Sequence, residues 1–316
     1  MRAITVSAPA RLHLGFVDLN GSLGRKYGSI GLAVDQPATT LTVRVSDQFG
    51  ATGPESERAD KALRRFAQLF AQDQPFTVDV IQAIPAHAGL GSGTQLALAI
   101  GAAVLQLAGS EASARSLGEV VERGARSAIG MTAFERGGFI VDGGRGSLNR
   151  PPPTIVRLDF PSEWRAILVL DPRDVGVHGE KEAVAFQALP EFRETLAGYL
   201  CRLTLMRLLP GIVEHDIAAF GEALSEIQTL VGNHFSAAQG GEPWSNPAVG
   251  QIVRRLGEAG ATGLGQSSWG PTGFAFVESE AAAHRLYSSL VEEAKATGLD
   301  LKIVQGRNTG AVIAPV

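Results

Sequence analysis

Alternation of apolar and polar positions marks the strands of this chain. Residues 39–46 and 76–84 alternate with period two, so each predicts a strand with one buried face. Residues 4–8 and 12–19 read as two further strands separated by Pro9. Residues 57–70 switch to helical spacing, with Ala62, Leu63, Phe66, Leu69 and Phe70 on one side. Helices are predicted over 94–107 and 113–125, whereas the glycines scattered through 127–144 predict special backbone angles rather than a regular helix. Pro151, Pro152 and Pro153 cannot occupy a helix interior or a central strand, so they mark either a domain boundary or a surface loop. Beyond them the pattern predicts a buried strand at 164–170 and helices over 190–209, 214–231 and 247–258. Asn246 is a suitable N-cap for the last of these and Pro247 a suitable first residue. Strands at 261–266 and 273–277, a helix at 280–296 and a strand at 300–304 complete the order, which resembles an expanded split βαββαβ unit.

Length and composition narrow the class. The 316 residues exceed one ordinary core, so two domains are expected. With 45% hydrophobic residues, 19% charged residues and 38 glycines, the chain reads as a compact protein of helices and strands with many tight turns. A net charge of −4 supplies no global basic field for nucleic acid, although a local basic pocket for a small anion remains open. The single cysteine, Cys201, excludes a disulfide framework and points to a reducing, cytoplasmic setting; its apolar surroundings suggest a core thiol. Residues 1–6 lack the apolar run of a signal peptide, and the most apolar stretch, 96–108, is too short to span a bilayer.

Chemistry concentrates in a few glycine-dense segments. Between a predicted strand and a predicted helix lies His87-Ala88-Gly89-Leu90-Gly91-Ser92-Gly93-Thr94. Glycines let such a loop approach a ligand, and the following helix offers unpaired N–H groups and a dipole that favour an anion. Ser92 and Thr94 add hydroxyls for phosphate or for a magnesium ion. A second segment, Gly263 to Gly273, joins two strands by more than a tight hairpin needs. It displays Gln266, Ser267, Ser268 and Trp269, which suit an oxygen-rich ligand with an aromatic surface to stack on. In a third, Arg11 and His13 share one strand face, and Arg25 and Lys26 follow as further cations. Glu135, Arg136 and Asp142 are candidate groups in the 127–144 segment, as are Gly232-Asn233-His234-Phe235 with Gln239 and, more weakly, His178.

These segments carry a resemblance. In order and spacing they resemble the three signature motifs of the GHMP kinases. Four strings, Ala10 to Phe16, Gly89 to Ala97, Phe134 to Phe139 and Gln266 to Gly273, look most like one branch, the β-ribofuranosylaminobenzene 5′-phosphate synthases. The resemblance covers most of the chain. It implies an α+β protein of the GHMP-kinase fold, with a ribosomal-protein-S5-domain-2-like N-terminal domain over residues 1–155 and a ferredoxin-like C-terminal domain over 156–316. It further implies a decarboxylating phosphoribosyltransferase of tetrahydromethanopterin biosynthesis. The enzyme would join phosphoribosyl pyrophosphate to 4-aminobenzoate or 4-hydroxybenzoate, releasing CO2 and pyrophosphate. Magnesium and a homodimer are implied, with no organic cofactor, no nucleic acid and no membrane. An ATP-dependent small-molecule kinase on the same fold is the alternative, but many GHMP kinases carry an Asp where this chain reads Gly130-Met131-Thr132-Ala133-Phe134. On the resemblance, Arg11, His13, Glu135 and Arg136 are the expected catalytic residues. Arg25, Lys26, His87, Gly89, Gly91, Ser92, Gly93, Thr94, Gln266, Ser267, Ser268 and Trp269 are expected to bind substrate, with Ser92 and Thr94 as the expected magnesium ligands.

Overall fold

The structure, a computed structural model, describes residues 3–110, 114–120, 127–148, 150–174, 176, 189–268 and 270–316. Two antiparallel-dominated sheets organise it. In the first, β1 (Ala3–Asp18) pairs along its whole length with β2 (Tyr27–Val45). Pro9 does not divide β1 as expected: the register shifts between Pro9 and Ala10, and such an irregularity is where a strand tolerates a missing donor. The first half of β2 escaped prediction because residues 28–34 are all buried, which erases the alternation.

Around this hairpin, β4 (Phe76–Gln82) pairs with the far half of β2 and β5 (Phe139–Asp142) with its near half. The edges are β3 (Gly50–Thr52) beside β4, β6 (Thr154–Leu158) beside β5, and β11 (Val312–Pro315) beside β1. The boundary expected at 155/156 therefore falls inside β6. The three prolines lie in the β5–β6 connection of one sheet, and the last strand of the chain returns to it. Helices α1 (Ser56–Phe70) and α2 (Ser92–Leu107) bury Leu63, Phe66, Leu98 and Val104 against Ile4, Val6, Leu41 and Val43. A short α3 (Ala114–Val120) and α4 (Ile129–Arg136) complete this layer. The 127–144 segment is thus partly a regular helix, contrary to expectation. Two of its positive-φ glycines, Gly137 and Gly138, sit just after α4 and stop it.

The second sheet has the spatial order β10-β7-β9-β8, all antiparallel, from β7 (Arg165–Leu170), β8 (Thr262–Gln266), β9 (Gly273–Val277) and β10 (Asp300–Gln305). Taken in chain order this is the fourth, first, third and second strand, the arrangement of a ferredoxin-like split βαββαβ unit. One face packs Ile167, Val169, Ala275 and Val277 against α8 (Pro247–Glu258) and α9 (Glu280–Ala296). The other face sends Leu168, Phe274 and Phe276 into the core shared with β1 and β2. The predicted cap at Asn246 is present, accepting from the N–H groups of Ala248 and Val249.

Between β7 and β8 the chain runs through α5 (Glu194–Leu203), a π turn over Thr204–Leu208, α6 (Leu209–Val213) and α7 (Ile217–Phe235). The π turn precedes Pro210, which has no amide hydrogen to continue the ladder. Residues 194–213 are the one run among the described residues long and apolar enough to cross a membrane. Leu200, Leu203, Leu208 and Ile212 on this run are buried in the shared core, the behaviour of a core helix.

Candidate functional site

The glycine loop, β1 and the β8–β9 loop meet at one carbonyl. Gly89 O accepts from Arg11 Nη1 and from Ser267 Oγ, the latter at 2.7 Å. The next contacts flank it: Thr272 Oγ1 donates to Ala88 O at 2.7 Å and Arg11 N to Leu90 O at 3.1 Å. Ser267 Oγ in turn accepts from His13 N at 2.9 Å, and Ser268 N donates to His13 O at 3.3 Å. Ser267 and Thr272 are fully buried and His13 nearly so, which makes this a dry polar clamp between the two sheets.

Two glycines make the clamp possible. Gly89 has φ +78°, and a Cβ there would stand 2.3 Å from Ser267 O; one on Gly270 would stand 2.5 Å from Gly89 Cα. Beyond Gly91 the helix α2 begins, with the N–H groups of Thr94 and Gln95 turned back to Gly91 O. The N–H groups of Ser92 and Gly93 have no acceptor among the described residues and point out of the helix's amino end. Arg11 lies along this loop, its Cγ 3.2 Å from where a Gly91 Cβ would be. Gln95 is buried, donates to Gly130 O at 2.8 Å and leaves its Oε1 without a partner among the described residues. The arrangement suits an anion cradle, with a cation beside it.

Next to the clamp lies a cavity of about 320 Å³ between β1, β8, α7 and the chain leading into α8. His13, Phe16, Phe235, Trp244, Gln266 and Ser268 are among its walls. Its floor is tied by Gln228, whose Nε2 donates to Leu14 O at 2.8 Å while its Oε1 accepts from Gln266 N at 2.9 Å. The side chain of Gln266 accepts from Ser245 N at 2.9 Å and donates to Gln239 Oε1 at 3.1 Å. Gln266 thus holds the cavity wall in place. Phe16, Phe235 and Gln239 lie in segments flagged by sequence. Gln228 gave no signal, because its role depends on where α7 lands on Gly265, whose Cβ would be 2.4 Å from the Gln228 side chain.

Other expected site residues are placed elsewhere. Arg25 ties the β1–β2 turn to the end of β5, donating to Gly143 O at 2.6 Å and Gly144 O at 2.7 Å. Lys26 exchanges backbone hydrogen bonds with Arg145, and the hairpin puts both cations roughly 20–25 Å along the strands from Arg11. Lys26 there lowers the pKa of His234, secondary to burial of the imidazole. Gly130, at the start of α4, touches Thr94, but Glu135 and Arg136 lie about 8–9 Å further along that helix. Glu135 Oε1 accepts from Ala114 N at 2.7 Å and so caps α3, while Arg136 is exposed. Neither meets the cradle. Asp142 is a buried structural hub: Ser29 N, Ala128 N, Gly144 N and Ser127 Oγ all donate to it. Burial pushes its carboxyl up, against the pull of those four bonds. Cys201 is exposed rather than a core thiol, because the helix turns it away from the buried Leu200 and Leu203. Partial burial and then Asp18 raise its pKa, which disfavours the nucleophilic thiolate. His87 adopts φ +57° in the turn before the loop, with its carbonyl accepting from Gly176 N. Trp269 and His178 lie outside the described residues.

Ser92 and Thr94 stand at the start of α2, and no cluster of three metal-ligating side chains occurs among the described residues.

Residues 57–138 match the family described as GHMP kinases N terminal domain, and residues 208–296 the one described as GHMP kinases C terminal. Solved structures share the fold at low identity. Mevalonate-3-kinase from Thermoplasma acidophilum aligns with TM-score 0.70 and 15% identity over 99% of both chains. Homoserine kinase from Cytophaga hutchinsonii aligns with TM-score 0.69 and 20% identity over 99% of this chain and 98% of that one. Sequence relatives are nearer. The β-ribofuranosylphenol 5′-phosphate synthase of Methanothermobacter thermautotrophicus is 34% identical over 98% of both chains. That of Archaeoglobus fulgidus is 33% identical over 98% of this chain and 99% of the relative. With that identity sustained from end to end and both GHMP modules in order, the chain belongs to the β-ribofuranosylphenol 5′-phosphate synthase family, transferases built on the GHMP-kinase fold.

Proposed function

We propose that this protein transfers the phosphoribosyl group of phosphoribosyl pyrophosphate to a 4-substituted benzoate, with 4-hydroxybenzoate the acceptor suggested by the phenol in its relatives' name. The observation that carries the reading is the clamp at Gly89, which sets an anion cradle directly beside a cavity with aromatic walls. The cradle suits the departing pyrophosphate: the Ser92 and Gly93 amides and Arg11 meet charge that grows as the bond to ribose C1′ breaks. A magnesium ion carried in on the pyrophosphate oxygens, with Ser92 and Thr94 beside it, would supply further neutralisation. The ring carbon bearing the carboxylate forms the new bond to C1′, and the C1′–O electron pair leaves with pyrophosphate. The bond to the carboxylate then breaks, returning its electrons to the ring as CO2 departs. No proton is taken from the reacting carbon. That requirement agrees with the described residues around the cradle, where Glu135 caps α3 and Asp142 is fully engaged. The same feature disfavours a kinase that relies on a carboxylate to activate a hydroxyl. The product would be an aryl ribose 5′-phosphate of the kind tetrahydromethanopterin biosynthesis requires.

The test is incubation of purified protein with phosphoribosyl pyrophosphate, magnesium and carboxyl-labelled 4-hydroxybenzoate. Label released as CO2 only when both substrates are present is the expected result. No release with either the hydroxy or the amino acid, together with ATP turnover on a small alcohol, would overturn it.

A further inference from the structure

The cavity beside the clamp is unlike the cradle in charge. Phe16 and Phe235 stand with ring centroids 6.0 Å apart, and the His13 ring lies 4.6 Å from Phe16. Its walls include no carboxylate and one guanidinium, Arg254, among the described residues. Phosphoribosyl pyrophosphate carries several negative charges and would be desolvated there with little compensation. A flat aromatic ring with one polar group at each end fits the walls, and the volume of about 320 Å³ lies at the small end of ligand sites, roughly 300–1,000 Å³.

The direction of the ring follows from α8. Gly250, Arg254 and Gly257 lie on one face of that helix at i, i+4 and i+7. A Cβ on Gly250 would be 2.6 Å from Trp244, and one on Gly257 would be 2.5 Å from Leu264. Arg254 therefore lines the cavity near Trp244 and Leu264 while staying open to solvent. Leu264 is about 10–13 Å back along the extended chain from Ser267 and Ser268 at the clamp. Its neighbour Arg255 is engaged by Glu258 and Glu293, whereas Arg254 has no ion-pair partner among the described residues. The reacting ring carbon must reach the ribose, which the cradle anchors at the clamp end. The para substituent, directly across the ring, then points away from the clamp.

We propose that Arg254 is the specificity residue of this site: it meets the para substituent of the acceptor and selects a hydroxyl over an amino group. The inference rests on the phosphoribosyl-transfer reading. A guanidinium offers five donors and no acceptor. A phenol oxygen accepts from it, accepts better once its proton has passed to solvent, and remains an acceptor as the carbonyl-like oxygen left when its electrons move through the ring toward the new bond. An arylamine nitrogen is a donor whose lone pair is spent in the ring, so it faces Arg254 donor to donor.

The experiment compares wild type, Arg254→Gln and Arg254→Lys with both acids and phosphoribosyl pyrophosphate. Arg254 is exposed, so circular dichroism should report an intact fold in the variants. The expected result is a loss of about tenfold or more in kcat/KM for 4-hydroxybenzoate in Arg254→Gln, the scale of one charged hydrogen bond. The change for 4-aminobenzoate should stay within about twofold, and KM for phosphoribosyl pyrophosphate should not move. Arg254→Lys should recover part of the preference. Equal losses on both acids, no loss, or a raised KM for phosphoribosyl pyrophosphate would overturn the assignment. If wild type releases no CO2 from either acid, the transfer reading fails, and calorimetry decides this inference separately. Binding of 4-hydroxybenzoate by wild type, weakened in Arg254→Gln, supports it; binding unchanged or absent refutes it.

Discussion

Replacing Ser267 with alanine removes one oxygen from the point where both sheets and the glycine loop meet. That oxygen donates to Gly89 O at 2.7 Å and accepts from His13 N at 2.9 Å, and no water reaches the fully buried side chain. Gly89 O keeps Arg11 as a donor, so its loss is the net value of one bond, about 0.5–1.5 kcal/mol. The His13 amide is left buried without its acceptor, which costs about 1–3 kcal/mol more. The sum, about 2–4 kcal/mol, should appear as a lower urea midpoint with an unchanged m-value. Because the loop that cradles the anion is released, kcat/KM should fall by about tenfold or more, and added phosphoribosyl pyrophosphate should restore part of the lost stability. Thr272→Val, which frees the neighbouring Ala88 O, should couple to Ser267→Ala in a double-mutant cycle, since both hold the same few residues. A loss below about 0.5 kcal/mol with full activity would refute the view that the clamp shapes the cradle.

Two further outcomes separate structural carboxylates from catalytic ones. Glu135→Ala should cost about 0.5–2 kcal/mol through the lost cap on α3, read by thermal melting, with kcat and KM unchanged; a collapse of kcat would return Glu135 to the chemistry. Asp171, bonded to Arg173 first and also to Asn246, is held from the ordinary 3.8 down to about 2, against the opposing effect of burial. Its contribution is therefore complete above the ordinary value and is lost as pH falls toward about 2. It should amount to about 1–2 kcal/mol once the exposure of Arg173 is allowed for. In acid urea titrations Asp171→Asn should flatten that part of the curve, and an unchanged acid limb would count against the linkage.

The motifs were more legible than the elements around them. Gly89 to Thr94 read correctly as a glycine-rich turn into a helix because glycine and helix onset are local signals. The Asn246-Pro247 start of α8 was equally local. Residues 28–34 of β2 and the short strands β3, β5, β6 and β11 gave no such signal, because burial on both faces or a length of three to five residues leaves no periodicity to read. Glu135 and Arg136 looked functional by adjacency to a motif, yet a helix carries adjacent residues away at 1.5 Å each.

The sequence by itself determined the family, the order of helices and strands from β7 to β10, and the glycine-rich turn into α2, since these are written in residues near one another in the chain. Tertiary structure alone decided which groups face one another across it. Ser267 reaches Gly89 over a separation of 178 residues, and Gln228 reaches Leu14 over 214. Those distances close only when the shared core of Leu12, Leu14, Phe220, Ile227 and Phe276 draws α7 and the second sheet onto β1. Side-chain identity is written locally, whereas the burial that brings distant polar groups into one dry site is a property of the whole packed chain.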